Sequence, residues 1–360
     1  MTPKYYKVHN RFKLNGNHYN SEELNEVAYS FIKEGEAYEK VTGNFLLDWF
    51  NEKEYIEVNT SGSTGKPKSI KLRKQAMVNS AIATGNFFGL KPGYTALHCL
   101  PNHYIAGKMM LVRALVLGLA IDLVQPSAHP LFDCNKHYDF SAMVPLQLEH
   151  TINQISNIQT IIVGGSKLNQ PLLDKISSKT SSFFATYGMT ETATHVAIKQ
   201  LSSKGNKADQ EYRALGNISF QTDARQCLVI DAPNLLSKKI ITNDVVDLKS
   251  NISFNLLGRY DNVINSGGVK LFPEQIEEKL LQLINERFII ASEKDVVLGE
   301  KLIIIIENPK ASVDQILLTI KELHTLDKFE IPKKIYTLQN FFETTSGKIQ
   351  RNKIIKAVLE

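Results

Sequence analysis

A chain of 360 residues, 43% of them hydrophobic and 22% charged, can bury a sizeable core and has room for about two domains. The formal charge of +5 is mild and the basic residues form no tract or aromatic-interleaved patch, which argues against a nucleic-acid partner. Cys99, Cys134 and Cys227 are few, odd in number and widely spaced, which fits reduced thiols in a cytoplasmic protein and no disulfide framework or zinc site. No apolar leader opens the chain, and the longest apolar stretch, residues 109–124, contains Arg113 and Asp122 and is too short to span a bilayer, so no membrane partner is expected.

In chain order, residues 1–50 read as mixed and partly helical. Residues 54–59 alternate like a strand, and 69–72 read as a second short one. Then strands and helices take turns: helix 75–88, strand 95–100, helix 105–117, strand 120–124, helix 144–155, strand 160–163, helix 170–176 and strand 182–186. Such alternation predicts a parallel sheet with helices on its faces. Ligands of such sheets collect at the carboxyl ends of the strands, so the loops 101–107, 164–167 and 187–192 should converge on one crevice. Residues 214–264 turn strand-rich, with strands at 227–230, 239–242 and 254–257. Beyond Asp261 the order changes again: helix 273–284 with a proline at its start, strands 288–291 and 301–306, helix 313–323, strand 334–338 and helix 352–359. This predicts a compact α+β module of about 100 residues, with a boundary near Asp261.

The most telling segment is Thr60-Ser61-Gly62-Ser63-Thr64-Gly65-Lys66-Pro67-Lys68. Glycines let backbone N–H groups approach an anion, while hydroxyls and lysines add donors and charge. It is not a Walker A loop: Gly62 and Gly65 stand too close, Pro67 follows Lys66, and strands flank both sides, so a hairpin loop would lie over a nucleotide. Lys66, Lys68, Lys71, Arg73 and Lys74 cluster, as a polyphosphate ligand would require; a solvated basic edge would look the same. Downstream, Tyr187-Gly188-Met189-Thr190-Glu191-Thr192 follows an apolar strand. Thr190 offers a hydroxyl to phosphate, Glu191 a carboxylate to Mg²⁺, and Tyr187 a ring to a flat base. His195 lies four residues after Glu191, a spacing that would pair them on a helix, but magnesium does not favour imidazole and a structural role suits His195 better. Asp244, fifteen residues before Arg259, supplies with it a carboxylate and a guanidinium for two ribose hydroxyls. Lys348 stands on a Ser-Gly-Lys turn before the last helix.

In order and spacing, these motifs resemble the acyl- and aryl-CoA synthetases of the adenylate-forming (AMP-binding) superfamily. The matching segments are 60–68, 187–192, 242–244, 258–261 with 266–268, Pro273 and Glu274, and 346–351. The resemblance implies an α/β fold: a large N-terminal domain, residues 1–260, with mainly parallel sheets, flanking helices and a strand-rich part, then a small mobile α+β C-terminal domain, residues 261–360. It implies that ATP and a carboxylic acid form an acyl adenylate, which coenzyme A then converts to a thioester. Carried over residue by residue, 60–68 holds the β,γ-phosphates. Gly164, Thr186, Tyr187, Gly188 and Met189 complete the nucleotide site with Asp244 and Arg259 at the ribose. Thr190 and Glu191 act at the phosphates and magnesium. Lys348 bridges carboxylate and α-phosphate, Asp261 is the hinge, and Ser266, Gly267 and Gly268 line the way for coenzyme A. Departures are the short stretch of about 60 residues before the phosphate loop, Asn243 in place of a frequent glycine, and Phe342, Glu343 and Thr345 in place of the usual Pro-Lys…Pro.

Within the superfamily the chain is most similar to the o-succinylbenzoate–CoA ligases of menaquinone biosynthesis, through residues 99–113 and 187–195. That implies an acyl pocket drawing on Tyr104, Lys108, Arg113 and Gly188. Arg113 is the leading candidate to read a second carboxylate, with Lys108 next; snorkelling or pairing with a core acid is the competing reading for Arg113. Other acids, a carrier-protein-loading role and a non-catalytic nucleotide-binding role remain open at this point.

Overall fold

The computed structural model describes residues 2–60, 68–202, 208–281, 283–284, 286–307, 312–321, 323, 325–343 and 349–360, with backbone alone for Asn59, Thr60, Lys68 and Asp314. Ser61, Gly62, Ser63, Thr64, Gly65, Lys66 and Lys348 lie outside the described residues.

Thirteen strands form one mixed sheet. Its centre is parallel: Ala120–Leu123, Thr95–His98, Tyr138–Met143, Ile158–Val163 and Ser182–Gly188 lie side by side in that order. The chain runs from Thr95–His98 to a neighbour on one side and then to Tyr138–Met143 on the other, so the order reverses at the carboxyl end of Thr95–His98, where such sheets open a crevice. At one edge Lys13–Leu14 and Asn17–His18 extend the sheet. At the other edge the strands turn antiparallel: His195–Ser202, Tyr212–Ala214, Ser253–Arg259, Ile240–Ser250, Cys227–Asp231 and Ser219–Thr222. Tyr55–Thr60 and Lys68–Arg73 form a separate antiparallel pair, which puts residues 61–67 between two strands as expected.

The helices follow from local chemistry. Ser21–Glu34 opens with a capping box: Asn20 Oδ1 accepts from the backbone N–H groups of Glu22 and Glu23, and Glu23 returns a carboxylate to the N–H of Asn20. Lys74–Phe88 and Ile105–Leu117 each end on a left-handed glycine, Gly89 and Gly118. Ile105–Leu117 is apolar all round and buried beneath the sheet with Phe140, Ala142 and Ile162 in one core. Ser21–Glu34 packs against Ala37–Phe50 (AYEKVTGNFLLDWF) through Gly43, where an added Cβ would stand 2.5 Å from the Ala28 carbonyl oxygen.

From Ile264 onward a second sheet forms. It contains the hairpin Ile264–Ser266 and Val269–Leu271, then Gly299–Ile306 flanked by Phe288–Asp295 and the parallel Lys334–Thr337. Gly267 and Gly268 both have positive φ, as a two-residue hairpin turn of this hand requires. Pro273–Leu280, Val313–Lys321 and Arg351–Leu359 are its helices.

Two expectations need correction. Tyr138–Met143 is a central strand that alternation did not reveal. The helix expected over 144–155 stops at Thr151, whose hydroxyl bonds back to the Gln147 carbonyl at 2.7 Å, and a 3₁₀ turn, Ile155–Asn157, follows. His195, whose spacing from Glu191 would pair the two only on a helix, starts the strand His195–Ser202. The reason is Ala193, at φ 62°, which turns the chain out of the 3₁₀ turn Thr190–Thr192.

Gly43→Ala should lower the free energy of unfolding by about 1–3 kcal/mol, because the helix pair cannot part without opening the core around Trp49. A urea titration should show a lower midpoint with an unchanged slope.

Candidate active site

The loops expected to converge do follow parallel strands and share one end of the sheet. Gly164 ends Ile158–Val163 beside the next strand: a Cβ there would lie 2.7 Å from Thr186 Oγ1, which itself donates to the Val163 carbonyl. Gly188 ends Ser182–Gly188 under greater constraint, since a Cβ would stand 2.4 Å from the Thr194 carbonyl oxygen and 2.6 Å from His195 Cα. Gly188 is exposed, Met189 and Thr190 are half-buried, and Glu191 is exposed on the 3₁₀ turn. Thr192 ties this turn, its hydroxyl donating to the Thr194 carbonyl at 2.6 Å and accepting from the Met189 N–H.

Asp244 joins this end of the parallel sheet to the antiparallel strands. It accepts a 2.6 Å hydrogen bond from the Tyr187 hydroxyl and lies 3.2 Å from Arg259 Nη1, the residue opposite it in the ladder. Arg259 Nη2 reaches Asp261, which also accepts from Asn243. Burial, and then the Asp244 carboxylate, push the Tyr187 hydroxyl far above its ordinary range, so it stays a donor. The Tyr187 ring is 8% exposed and packs edge-on against Phe254, with centroids 5.1 Å apart. The open surface beside it belongs to Gly188 and the turn after it. Past Arg259, the chain enters the turn Tyr260–Asn262. Asn262 donates to Glu274 at 2.5 Å, and Gly258 has no Cβ where one would stand 2.4 Å from Glu274 Oε2. Lys167 lies 3.4 Å from Glu278 on the helix Pro273–Leu280, a second link between the two sheets. In the C-terminal sheet Ser266 is buried beside the open Gly268.

The expected acyl residues separate as their spacing requires. Tyr104 is exposed at the start of its helix. Lys108 points the other way from Arg113, its ammonium 4.9 Å from the Phe45 ring centre, and burial lowers its pKa. Arg113 is 2% exposed. It neither snorkels nor pairs with an acid: among the described residues no carboxylate lies within ion-pairing reach, and Nη2 donates to Thr194 Oγ1 at 2.9 Å and points at His195 Nδ1 at 3.5 Å. Its buried Nε has no partner, and burial lowers its pKa to about 9.

Two histidines complete this cluster: His195, for which the sequence favoured a structural role, and His98, which the sequence reading missed. Thr84 gives its hydroxyl proton to the Ser80 carbonyl, so His195 Nε2 must donate to Thr84 Oγ1, leaving Nδ1 as acceptor toward Arg113. Burial, with Arg113 adding repulsion, holds His195 neutral. Asn102 donates to Thr42 Oγ1 and accepts from His98 Nε2 at 2.9 Å, which leaves His98 Nδ1 buried and unpaired. Burial is the main cause that lowers the His98 pKa to about 4. A histidine ending an apolar strand at a switch point was the available signal.

The basic cluster is less available than its spacing suggested. Lys74 is fully buried, its ammonium 3.0 Å from both the carbonyl and the side-chain oxygen of Asn51 and 5.1 Å from the Tyr5 ring centre. Lys71 reaches Glu57 and Tyr55, and Arg73 the Leu235 carbonyl. Glu191 stands alone. Among the described residues no three His, Cys, Asp or Glu side chains gather to hold an ion, and magnesium arriving on a triphosphate asks the protein for one or two carboxylates. Cys99, Cys134 and Cys227 are all free, and no described helix is long and apolar enough to cross a membrane.

Comparison with known proteins gives the chain's relatives. The model of the family described as AMP-binding enzyme matches residues 58–235. A solved acyl-CoA synthetase (AMP-forming)/AMP-acid ligase II-like protein from Dyadobacter fermentans is 34% identical, with a TM-score of 0.61 over 92% of this chain and 98% of that one. A 2-succinylbenzoate–CoA ligase from Bacillus thuringiensis is 23% identical over 84% of this chain and 70% of the relative. The O-succinylbenzoate coenzyme A synthetase of Bacillus subtilis, solved with ATP and magnesium ion, is 21% identical with a TM-score of 0.71, over 83% of this chain and 69% of that one.

A histidine held neutral stabilises the fold above its ordinary pKa and loses that contribution on acidification. His98 alone should therefore withdraw about 3 kcal/mol between pH 6.5 and pH 4. Urea midpoints across that window should fall steeply for the native chain and less steeply for His98→Gln.

Proposed function

The chain belongs to the AMP-binding enzymes, the family of AMP-forming acyl-CoA synthetases, and from that premise we propose that it is an ATP-dependent acid–CoA ligase acting on o-succinylbenzoate, at a cytoplasmic step of menaquinone biosynthesis. The acid's aliphatic carboxylate attacks the α-phosphorus of ATP, pyrophosphate leaves, and an acyl adenylate forms. Asp244 and Arg259 hold the ribose hydroxyls: the carboxylate accepts, the guanidinium donates, and the Tyr187 hydroxyl, donating to the carboxylate, aims it. Residues 60–68 and Thr190 take the phosphates. Glu191 would hold Mg²⁺, which neutralises charge on the phosphate oxygens when bound. Lys348 bridges the two reacting groups and stabilises the charge they share in the transition state. The C-terminal domain, residues 261–360, then turns about Asp261. Coenzyme A enters past Ser266, Gly267 and Gly268, and its thiol displaces AMP to give the thioester. Asp261 suits a hinge because it is exposed and held only by Arg259 and Asn243 among the described residues.

One observation carries the choice of a dicarboxylic acid: the buried guanidinium of Arg113 has no acidic partner among the described residues. An uncompensated charge in an apolar core costs several kcal/mol, and a substrate carboxylate is a natural way to offset it. The surrounding groups are kept so that they add no charge, since His98 and His195 are neutral and Thr194 accepts. This favours a substrate with one carboxylate for adenylation and a second, on its ring, for Arg113.

A panel of carboxylic acids scored by ATP- and coenzyme-A-dependent AMP release tests both levels. o-Succinylbenzoate should exceed benzoate and simple fatty acids. Arg113→Leu should raise its KM about 10- to 100-fold while barely changing a mono-acid analogue that lacks the ring carboxylate. Equal harm to both substrates would make Arg113 structural. No preference for o-succinylbenzoate would leave the ligase and remove its substrate.

A further inference from the structure

Among the described residues the two sheets share no apolar core. Each cluster of buried hydrophobic side chains lies wholly on one side of the turn Tyr260–Asn262: those of the large sheet run no further than Phe254, and those of the C-terminal sheet begin at Ile264. Beside that turn an open cleft of about 750 Å³ remains, lined by Arg225 and Leu257 before the turn and by Lys270 and Phe272 after it. Relative motion is the ordinary expectation for an interface without a hydrophobic centre. What fixes the C-terminal sheet where it sits must then be polar.

Two acids on the helix Pro273–Leu280 supply such ties. Glu274 and Glu278 stand one turn apart and so share a face. Glu274 accepts from Asn262 and lies over Gly258, so it fixes how the helix leaves the hinge turn. Glu278 reaches much farther. Its Oε2 lies 3.4 Å from Nζ of Lys167, which ends the loop that Gly164 begins at the carboxyl end of Ile158–Val163. A second cation stands near: Lys199 is half-buried on His195–Ser202, where burial lowers its pKa and the Glu278 charge partly offsets that. The pair itself is open, with side chains 46% exposed at Lys167 and 61% at Glu278. An exposed pair contributes little to the stability of a packed core. Two orientations of a domain that shares no core with its neighbour differ by comparably little, so a weak tie is enough to choose between them.

We propose that Glu278 and Lys167 form a docking latch: the pair holds the C-terminal domain against the loop 164–167 in the orientation seen here, and it parts when the domain turns between the two half-reactions. The proposal rests on the reading of residues 261–360 as a domain that turns about Asp261. Breaking the pair frees the far end of the helix and leaves Glu274 and the hinge turn as its hold. Undocked orientations then gain by the worth of one exposed pair. The division of time between adenylation and thioester formation changes, while the Asp244–Arg259 ladder stays intact.

The test uses the full chain as Glu278→Gln, Lys167→Gln and the double variant, with melting curves to verify folding. One readout needs no catalysis: trypsin cleavage after Arg259, followed by mass spectrometry. A protease needs the hinge turn drawn out, and that requires the domain to leave its dock. Each single variant should be cut there about 1.5- to 5-fold faster than the native chain, with unchanged melting curves. The double variant should be no faster than Glu278→Gln alone, because Lys167 acts through Glu278. At about 1 M salt, where the pair is screened, the native chain should lose its advantage. The second readout is the ratio of two rates, ATP–pyrophosphate exchange with the best acid of the panel and thioester formation from supplied acyl adenylate. It should shift by a similar factor and in the same direction in all three variants. Native cleavage rates in the variants, faster cleavage accompanied by lower melting, or single effects that multiply in the double variant would each overturn the latch. Faster cleavage with an unchanged ratio would overturn its part in the reaction. If the native chain catalyses neither half-reaction, the ligase reading fails, and cleavage alone still decides whether the latch exists.

Discussion

The site depends on one nearly buried carboxylate. Asp244 is 9% exposed, and it is satisfied from two sides: Tyr187 donates to it from the parallel sheet and Arg259 faces it from the neighbouring antiparallel strand. A carboxylate buried this deeply needs both donors, since unpaired it would be driven to neutralise. Satisfying it fixes three things together: the end of Ser182–Gly188, where the Thr190–Glu191 turn begins; the register of the Asp244–Arg259 ladder; and the start of the turn Tyr260–Asn262 that leads to the C-terminal sheet. The proposed nucleotide site and the proposed hinge are therefore parts of one hydrogen-bonded line, with Asp261 at its outer end on the same guanidinium.

Around that line the structure treats buried charge in two ways. Lys74 and Glu277 are compensated, the one by Asn51 and the Tyr5 ring, the other by Arg351 and a backbone N–H. Such groups hold architecture. Arg113 is surrounded by neutral acceptors, with one N–H left over, and beside it His98 keeps a nitrogen unpaired. Two unsatisfied polar atoms in one part of the core, at the crevice end of a parallel sheet, are a cost that packing alone does not explain. A substrate's second negative charge would remove part of it.

Much of this was legible in the sequence. The alternation from residue 75 to 186 foretold the parallel sheet, because its helices and strands are separate apolar runs divided by turn residues, two of the helices ending on Gly89 and Gly118. The family was legible because glycines, hydroxyls and acids at fixed offsets serve chemistry and not burial. The failures share a cause, which is polar residues satisfied by distant partners. Tyr138–Met143 hid as a strand because Asp139 and Ser141 interrupt it, and both are answered by the adjacent strand, through Thr95 and the Leu97 carbonyl. Lys74 looked like a phosphate ligand because nothing local shows Asn51 waiting for it. The strand that starts at His195 was not legible because a left-handed Ala193 has no signature in side-chain type. Tyr187 was read as a platform for a base, and its hydroxyl's partner fifty-seven residues away was invisible.

The central claim is that Asp244 and Arg259 act as one unit on the ribose. It is tested most directly by a double-mutant cycle in AMP affinity, comparing the native chain with Asp244→Asn, Arg259→Gln and the double variant by calorimetry. The account predicts strong coupling: each single change should weaken binding about as much as both together, because either removes the pair. Losses that simply add, with the double variant weaker by the sum of the two, would mean that the residues contact AMP independently or not at all, and would contradict it.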